Sequence, residues 1–347
     1  MLKFGLIGAG GIGLVRRAAL QQSRHAICTA VADVNPAAAQ AAAHGARVMH
    51  SAIELCQSDV SDAVIISTPP DTHEELAIAA MQSGKHVIVE KPMANSLAAC
   101  TRMLDVSREN GRVLTVGFNH RYFDAVKDVR AAVQSGAIGR LCYVRGFAGH
   151  TGLAEFKSRW MYDKRTMGGG ALLDNGIHVL DLVRNLMGEI GEVYGTVSSG
   201  IWGLDVEDNA FATFRGVDGV IGTLNASWSE WKGYCFYVEA YGDKGMARAY
   251  YAPMMTTIIT MNEPGGRRRV ARRFYPSVAL REKICGWQST VIRTFQQEFA
   301  DFAALVAGEQ PSGPIARAED GFRSIEIANA VYTASNRGES VRLAAEI

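Results

Sequence analysis

The sequence predicts an α/β domain with a doubly wound parallel sheet, followed by an α+β domain with a mostly antiparallel, open sheet. In residues 1–121, short apolar runs alternate with helical segments, which is typical of a parallel sheet covered on both faces. Residues 192–274 instead hold strand-like stretches separated by turns, without helices between them. The length of 347 residues fits two domains of about 150 residues each. We therefore expect domains over 1–121 and 122–347.

The composition excludes several classes of function. Lys+Arg minus Asp+Glu is 36 − 35 = +1, so no excess charge favours nucleic acid or an anionic membrane as a partner. No apolar run approaches the roughly 20 residues of a membrane span, and the N-terminus lacks the pattern of a secretory signal. The six cysteines are far apart, without C-x-x-C pairs or neighbouring histidines. We expect a cytoplasmic protein with reduced thiols and no metal, which also argues against a zinc alcohol dehydrogenase.

The apolar runs and the turn residues give the expected elements. The strands of the first domain are expected at 2–7, 26–32, 63–66, 86–89 and 113–116, and its helices at 12–22, 36–44, 72–83 and 96–109. The second domain is expected to have helices at 123–135, 170–187, 288–307 and 318–337, and strands at 141–148, 193–199, 209–215, 219–228, 235–242, 246–250 and 256–261.

A glycine motif joins the first strand to the first helix. It reads Gly8-x-Gly10-Gly11-Ile12-Gly13, and Asp33 follows 20 residues later at the end of the second strand. Glycines at these positions permit a tight turn, close approach of a pyrophosphate and close helix–strand packing, and the helix N-terminus attracts the phosphates. The motif and its strand–turn–helix context predict a Rossmann fold that binds a nicotinamide dinucleotide.

Asp33 also bears on which dinucleotide binds. Its carboxylate can hydrogen-bond a ribose 2′-hydroxyl, whereas like charges about 4 Å apart cost roughly 4 kcal/mol at an effective dielectric near 20. Val34 and Asn35 follow, so no adjacent arginine could receive a 2′-phosphate. Arg16 or Arg17 could reach round to such a phosphate, but we interpret both as solvated helix charges. The sequence therefore favours NAD over NADP.

Several further motifs occur in a fixed order along the chain. They are Thr68-Pro69-Pro70 with His73 three residues on, Glu90-Lys91-Pro92 after a strand, residues 117–122 (GFNHRY) with Asn119 at the domain junction, Gly168-Gly169-Gly170, and Asp174-x-Gly176-x-His178. Together with the glycine motif, this series resembles the glucose–fructose oxidoreductase/inositol dehydrogenase (Gfo/Idh/MocA-type) family, nearly end to end. The resemblance implies an NAD-linked dehydrogenase acting on CH–OH groups of sugars or cyclitols, without identifying the substrate.

Three side chains are candidates for the chemistry. Lys91 follows a parallel strand at its carboxyl end, where ligands bind in such sheets, and its ammonium group could bond a reacting hydroxyl. Asp174 and His178 are four residues apart on a predicted helix, so they share one face. Imidazole suits proton transfer because it titrates near neutral pH. The resemblance implies that His178 exchanges the proton and that Asp174 positions it or binds substrate, and we expect the adjacent Gly-Gly-Gly to admit a ligand.

The resemblance assigns further residues to binding. On the cofactor side it implies Thr68, Pro69, His73, Glu90, Lys91 and Asn119, beside the glycine motif and Asp33. On the substrate side, Lys91, Asp174 and His178 are joined by His150, Trp160 and Tyr162, whose rings and polar atoms could contact a sugar. His73 and Trp160 could equally be ordinary structural residues.

Two other functions stay open from the sequence, as does the assembly. One is a keto-sugar or nucleotide-sugar reductase, because the same residues serve both directions; the other is a non-catalytic sensor that binds NAD. An open sheet face predicts a homodimer or homotetramer, as in relatives. The cluster Arg267, Arg268, Arg269, Arg272 and Arg273 is interpreted as an exposed hairpin that is solvated or contacts another subunit.

Overall fold

The computed structural model describes residues 1–154 and 158–344. The chain forms two compact units, the first made of Met1–Tyr122 and Arg281–Ile325, the second of Phe123–Leu280 and Glu326–Ile347. The expected boundary after residue 121 lies close to the first division. The expected second domain over 122–347 is not continuous, however, because residues 281–325 group with the first unit. Within the described residues, no helix is both long and apolar enough to cross a membrane.

The first 122 residues alternate strand and helix, as predicted. The strands are β1 (Leu2–Ile7), β2 (Ala26–Ala32), β3 (Arg47–Val48), β4 (Ala63–Ile66), β5 (His86–Val89) and β6 (Leu114–Val116). The helices are α1 (Gly11–Gln21), α2 (Pro36–Ala43), α3 (Ala52–Gln57), α4 (His73–Gln82) and α5 (Leu97–Glu109). The sequence did not predict β3 and α3, because elements of two and six residues carry too little periodicity.

The six strands form one parallel sheet in the order β3-β2-β1-β4-β5-β6. The strand order reverses between β1 and β4, so the loops after these two strands leave the sheet side by side at their carboxyl ends. Ligands bind at such a switch point in doubly wound sheets. The predicted α/β class is confirmed.

The remaining elements follow in chain order. The second unit begins with α6 (Asp124–Gln134), β7 (Leu141–Gly149), α7 (Lys164–Met167) and α8 (Ile177–Met187). Its strands continue with β8 (Ile190–Ser198), β9 (Asn209–Gly216), β10 (Ile221–Ser227), β11 (Cys235–Gly242), β12 (Gly245–Tyr251), β13 (Met255–Thr260) and β14 (Arg269–Phe274). The chain ends with α9 (Pro276–Cys285), α10 (Gln288–Val306), α11 (Ala318–Arg337) and β15 (Val341–Arg342).

Helix α10 explains why residues 281–325 group with the first unit. Phe299 and Phe302 pack their rings against Phe4 of β1, with centroids 5.6 Å away in each case. All three side chains are fully buried. The amphipathic pattern of α10 predicted a helix, but a periodic pattern does not identify the surface that the helix covers.

The second unit is built on a nine-stranded sheet in the order β14-β13-β12-β11-β7-β10-β9-β8-β15. Only the pairing of β7 with β10 is parallel, and the other described pairings are antiparallel. Gly146 of β7 lies against Val179 and Val183 of α8, so α8 covers one face of the sheet. The predicted α+β class with a mostly antiparallel sheet is confirmed.

The opposite face of this sheet carries aromatic and charged side chains. Tyr143 stacks on Tyr241 at a centroid distance of 4.4 Å, and Arg145 forms an ion pair with Glu239 at 2.7 Å. Large apolar side chains are also exposed along this face, namely Tyr143, Tyr194, Phe211 and Ile221. We refer to this surface as the open sheet face.

The arginine cluster lies at one edge of the same sheet. Arg269, Arg272 and Arg273 belong to β14, an exposed strand that the sequence did not predict because half of its six residues are arginines. Arg273 pairs with Asp128 at 2.9 Å, and its guanidinium lies over the ring of Tyr275. The expected exposed hairpin is present as β13–β14. Positive charges along an edge strand oppose pairing with further strands.

Candidate active site

The glycine loop follows β1 as predicted, and the structure separates two uses of its glycines. A Cβ atom on Gly13 would lie 2.0 Å from the carbonyl oxygen of Gly8, so helix α1 requires glycine there to pack on the loop. A Cβ atom on Gly10 or Gly11 would meet no protein atom within 4 Å. Internal packing therefore does not explain these two glycines, whereas close approach of a pyrophosphate does.

Helix α1 presents its N-terminus at the same loop. Its N-cap residue is Gly10, which offers no side-chain acceptor to the first N–H groups of the helix. Uncapped N–H donors and the positive end of the helix dipole attract phosphate oxygens. Gly8, Gly10, Gly11, Ile12 and Gly13 thus fit the pyrophosphate of a dinucleotide.

Asp33 is held beside the loop by backbone hydrogen bonds. Its Oδ2 atom accepts the N–H of Ala9 at 2.6 Å, and its Oδ1 atom accepts the N–H of Asn35 at 2.8 Å. The carboxylate is half-buried at the end of β2. These bonds fix the charge next to the glycine loop, where the adenosine ribose of a dinucleotide lies in such folds.

The interpretation of Arg16 and Arg17 as solvated charges is wrong. Both are buried, because helix positions 13, 16, 17 and 20 share the face that packs inward. Arg17 donates to the carbonyl oxygens of Ala42 and Ala43 at 2.9 and 2.8 Å, at the end of α2. Neither guanidinium points to solvent.

Arg16 is the centre of a buried ionic cluster. Its Nε atom donates to Glu90 Oε1 at 2.6 Å, Nη1 pairs with Glu298 of α10, and the guanidinium lies 3.6 Å from the ring centre of Phe295. Two carboxylates share one guanidinium, so the cluster is one negative charge in excess. The pKa of Glu298 is raised to about 7. Burial is the main cause, and the negative charges of Glu90 and Asp301 raise it further. The predicted cofactor residue Glu90 is thus a partner of Arg16.

The raised pKa of Glu298 makes stability depend on pH. Between about pH 4.5 and 7 the unfolded chain releases this proton while the folded chain retains it, so the free energy of unfolding falls as pH rises. Glu298→Gln removes that loss. The free energy of unfolding is measured by urea denaturation for the wild type and for Glu298→Gln at each pH. We expect the difference, wild type minus variant, to fall by about 2 kcal/mol from pH 5 to pH 8. Glu309→Gln, an exposed control, should show no such change; equal behaviour of the two variants would contradict the assignment.

His73 joins two loops of the first unit. Its Nε2 atom lies 2.8 Å from the carbonyl oxygen of Thr68, and its Nδ1 atom lies 3.1 Å from that of Pro92. The side chain is fully buried, and burial lowers its pKa. Thr68 and Pro69 therefore keep a fixed position relative to the loop that begins with Lys91. The structure favours the alternative that His73 is a structural residue, whose ring holds the two predicted cofactor loops together.

Lys91 lies two residues beyond the end of β5, after Glu90, and is half-buried. The structure adds His120 to its surroundings: burial and the positive charge of Lys91 lower the pKa of His120 to about 3. Asn119, next to His120, donates its side-chain N–H to Thr294 Oγ1 at 3.2 Å. A cationic lysine therefore lies near a neutral imidazole at the carboxyl end of the parallel sheet.

In the second unit, Asp174 and His178 lie on one continuous helical segment. Residues Leu172–Gly176 form a π-helical turn that leads into α8, where a uniform helix over 170–187 was predicted. Gly176 permits this turn, because a Cβ there would lie 2.6 Å from Ala226 Cβ. Asp174 and His178 are both buried, at 8% and 6% exposure. Single π turns inside helices are frequent at functional sites.

The structure gives Gly168, Gly169 and Gly170 structural uses, so these glycines no longer indicate approach by a ligand. Gly168 ends α7 in the left-handed conformation with φ +84°. A Cβ on Gly169 would lie 2.1 Å from the Tyr332 hydroxyl, and one on Gly170 would lie 2.1 Å from the carbonyl oxygen of Glu207. Protein atoms therefore account for all three glycines. The sequence could not distinguish approach by a ligand from approach by the chain itself.

Glu207 fixes the start of this helical segment. Its carboxylate accepts the N–H groups of Gly170 and Leu172 at 2.8 and 2.9 Å, and the hydroxyl of Tyr332 at 2.9 Å. Burial raises the pKa of Glu207, although these donors favour the charged form. A buried carboxylate thus occupies the N-terminal end of the segment that carries Asp174 and His178.

The structure brings His150 to Asp174. His150 Nε2 lies 2.8 Å from Asp174 Oδ2, and Trp228 Nε1 donates to the same oxygen at 3.2 Å. His150 Nδ1 accepts the N–H of Gly152 at 2.9 Å. His150 and Trp228 are both buried.

Trp160 and Tyr162, the other predicted substrate residues, lie on a short 3₁₀ turn over Arg159–Tyr162. Trp160 is exposed and Tyr162 is half-buried. Their role stays a prediction. In the described part of the chain, no group of three or more His, Cys, Asp or Glu side chains is arranged to hold a metal ion.

Two family models match the chain. One, described as an oxidoreductase family with an NAD-binding Rossmann fold (GFO_IDH_MocA), matches residues 2–118, and the other, the GFO/IDH/MocA C-terminal domain, matches residues 126–248. The chain belongs to the GFO/IDH/MocA oxidoreductase family. The resemblance inferred from the sequence motifs is confirmed.

Sugar and cyclitol dehydrogenases align with most of the chain. An inositol 2-dehydrogenase of Rubrobacter xylanophilus is 29% identical over 96% of this chain and 91% of its own. A myo-inositol 2-dehydrogenase of Thermotoga maritima is 29% identical over 77% of this chain and 80% of its own. A solved structure of levoglucosan dehydrogenase with NADH and levoglucosan superposes with a TM-score of 0.86, at 26% identity over 99% of both chains.

Several residues that surround the candidate side chains in each unit were missed by sequence reasoning. The burial of Arg16 could have been predicted, because Arg16 lies on the buried face of α1. A buried arginine requires acidic partners. No sequence pattern indicated Glu207, Trp228 and His120, since their partners are distant in sequence. Their contacts follow from tertiary packing alone.

Proposed function

We propose that this chain is an NAD-dependent dehydrogenase that oxidises a secondary hydroxyl of a cyclitol or sugar. The observation that carries the proposal is the retention of Lys91, Asp174 and His178 on defined elements of a GFO/IDH/MocA fold. The inositol and levoglucosan dehydrogenases that align with it support the substrate class. Lys91 lies at the carboxyl end of β5, and Asp174 and His178 lie on the π turn and α8.

The proposed reaction removes a hydride from carbon and a proton from oxygen. A bound nicotinamide supplies the hydride acceptor. Lys91 donates a hydrogen bond to the substrate oxygen and stabilises the negative charge that develops there. His178 accepts the hydroxyl proton, and Asp174 stabilises the imidazolium that results. The proton later passes from His178 to solvent, and the reverse sequence reduces a ketone.

Cofactor preference follows from the charges beside the glycine loop. Asp33 presents a fixed carboxylate at the ribose position. Arg16 and Arg17 are engaged in buried contacts and could reach a 2′-phosphate only by breaking them. Both features support NAD over NADP.

We expect Asp33→Asn to raise kcat/KM for NADP by about 10- to 100-fold. The variant removes the charge that repels the 2′-phosphate, at an effective dielectric near 20, but keeps an oxygen that accepts the N–H of Ala9. Activity with NAD should fall only a few-fold. Initial rates with both dinucleotides test this. Asp59→Asn, an exposed control, should leave the ratio unchanged, and an unaltered ratio in Asp33→Asn would show that the carboxylate does not select the cofactor.

The two alternatives from the sequence are less well supported. A keto-sugar or nucleotide-sugar reductase would use the same residues in the reverse direction. A non-catalytic sensor would not need Lys91, Asp174 and His178 together. The dehydrogenase relatives, one of which aligns with 96% of this chain, favour catalysis.

A substrate panel tests the proposal. Cyclitols, aldoses and sugar acids are each incubated with NAD and with NADP, and NADH or NADPH formation is followed by absorbance. We expect turnover with at least one cyclitol or sugar, faster with NAD. NADH binding without turnover on any polyol or keto-sugar would instead identify a sensor.

We also propose a homodimer or homotetramer in the cytoplasm. The open sheet face exposes Tyr143, Tyr194, Phe211 and Ile221, a large apolar surface of the kind that marks an interface. All six cysteines are free, which suits a reducing compartment. Light scattering should give a multiple of 37.5 kDa, and Phe211→Glu should shift it toward 37.5 kDa. A wild-type chain that scatters as 37.5 kDa would contradict the proposal.

A further inference from the structure

His150 differs from an ordinary substrate-binding histidine because both ring nitrogens already contact protein. Nδ1 lies 2.9 Å from the N–H of Gly152, and Nε2 lies 2.8 Å from Asp174 Oδ2. The side chain is 4% exposed, and that of Asp174 is 12% exposed. One ring nitrogen of His150 is therefore bonded to a backbone N–H group and the other to a carboxylate.

These contacts determine the tautomer of the ring. The Gly152 N–H can only donate, so Nδ1 must accept and carries no proton. The proton of the neutral ring is then on Nε2, where it is donated to the Asp174 carboxylate. Adding a second proton at Nδ1 would oppose two N–H groups at 2.9 Å.

The backbone around Gly152 is shaped for this donor. Gly152 has a φ of +62°, and a Cβ there would lie 2.5 Å from Trp202 Nε1 and 2.7 Å from the carbonyl oxygen of Trp228. Trp202 Nε1 in turn donates to that carbonyl at 3.0 Å. A glycine in a left-handed turn is thus required to aim its N–H at His150.

Trp228 acts on the same carboxylate oxygen as His150. Its indole N–H reaches Asp174 Oδ2 at 3.2 Å, and its side chain is fully buried. Two donors on one oxygen fix the plane of the carboxylate, as outer partners do for ligating and catalytic groups elsewhere.

We propose that His150 is a positioning residue that orients Asp174 through its Nε2–H, and that it neither binds substrate nor exchanges the reaction's proton. This assignment rests on the proposed function. It leaves His178 as the histidine that exchanges the proton, and it makes Trp228 the second positioning residue of Asp174.

The tautomer is tested by ¹⁵N NMR of the ring nitrogens in the wild-type protein near pH 7, with His150→Gln used to assign the signals. We expect a neutral ring protonated at Nε2. A ring protonated at Nδ1, or at both nitrogens, would overturn the proposal. This measurement does not require activity, so an inactive protein would contradict the proposed function while the tautomer is still decided.

Kinetics test the role. His150→Phe removes the donor and should lower kcat about 10-fold with little change in the KM of the substrate, whereas His150→Gln, whose amide can donate from a similar place, should recover part of kcat. Trp228→Phe should lower kcat less, because its bond is longer. The exposed control His25→Gln should be unchanged.

Two results would overturn the role. An increased KM at unchanged kcat in His150→Gln would identify a substrate contact. A loss in His150→Gln equal to that of His178→Asn would identify a proton carrier. NADH affinity and circular dichroism establish that each variant is folded, and if His150→Phe does not fold, His150→Gln decides alone.

Discussion

We expect Lys91→Met to lower turnover by about 10²- to 10⁴-fold, the range that mutagenesis gives for loss of one acid–base or charge-stabilising group, while NADH should still bind. The side chain is half-buried at the end of β5, and its positive charge already acts on His120. Methionine keeps the length of the chain but supplies no donor for an alkoxide. Lys91 is not part of the proposed pyrophosphate site, which is formed by the loop with Gly10 and Gly11. Affinity for NADH should therefore change only a few-fold.

Steady-state rates and NADH fluorescence titration separate the two quantities. Lys91→Arg keeps a charge and should retain more turnover than Lys91→Met. Lys244→Met, on an exposed turn of the second unit, is the matched control. If Lys91→Met turned over normally, the lysine would have no part in the reaction; if it lost NADH affinity to the same extent as turnover, its role would be binding.

We expect His178→Asn to lower turnover by about 10²- to 10³-fold, because the proposed mechanism has no second acceptor for the hydroxyl proton. Asparagine retains a polar side chain on α8 without a titratable nitrogen, so the fold and the substrate KM should be nearly unchanged. Added imidazole should restore part of the rate by accepting the proton from solution.

The loss in kcat and its recovery by imidazole are measured together at saturating NAD. His25→Asn provides an exposed histidine control, which should be indistinguishable from the wild type. Full activity of His178→Asn would show that another residue accepts the proton. An effect limited to the KM of the substrate would show that His178 only binds substrate.

The elements next to strong local signals were predictable from sequence. The apolar run of β1, the glycines after it and Asp33 at the end of β2 lie within 33 residues, and their meaning depends on local geometry. The same holds for Asp174 and His178, whose spacing predicted a shared helical face. Local patterns therefore gave the fold class and the principal candidate residues.

The remaining site depends on contacts between distant residues. Gly170 could not be assigned, because the atom that requires glycine is a backbone oxygen of Glu207, 37 positions away in sequence. Arg16 was misjudged because its partner Glu298 is 282 positions away. His150 looked like a sugar contact until the structure placed Asp174 and Gly152 on its two nitrogens.

The packing of α10 on β1 also has a consequence for synthesis on the ribosome. Phe4 is made almost 300 residues before Phe299 and Phe302, the residues it packs against. At ~5–20 residues per second, the nascent N-terminal unit waits tens of seconds for the helix that completes its core and supplies Glu298, the second partner of Arg16. Unlike a domain that folds as it emerges, this unit can complete its core only after α10 has been made.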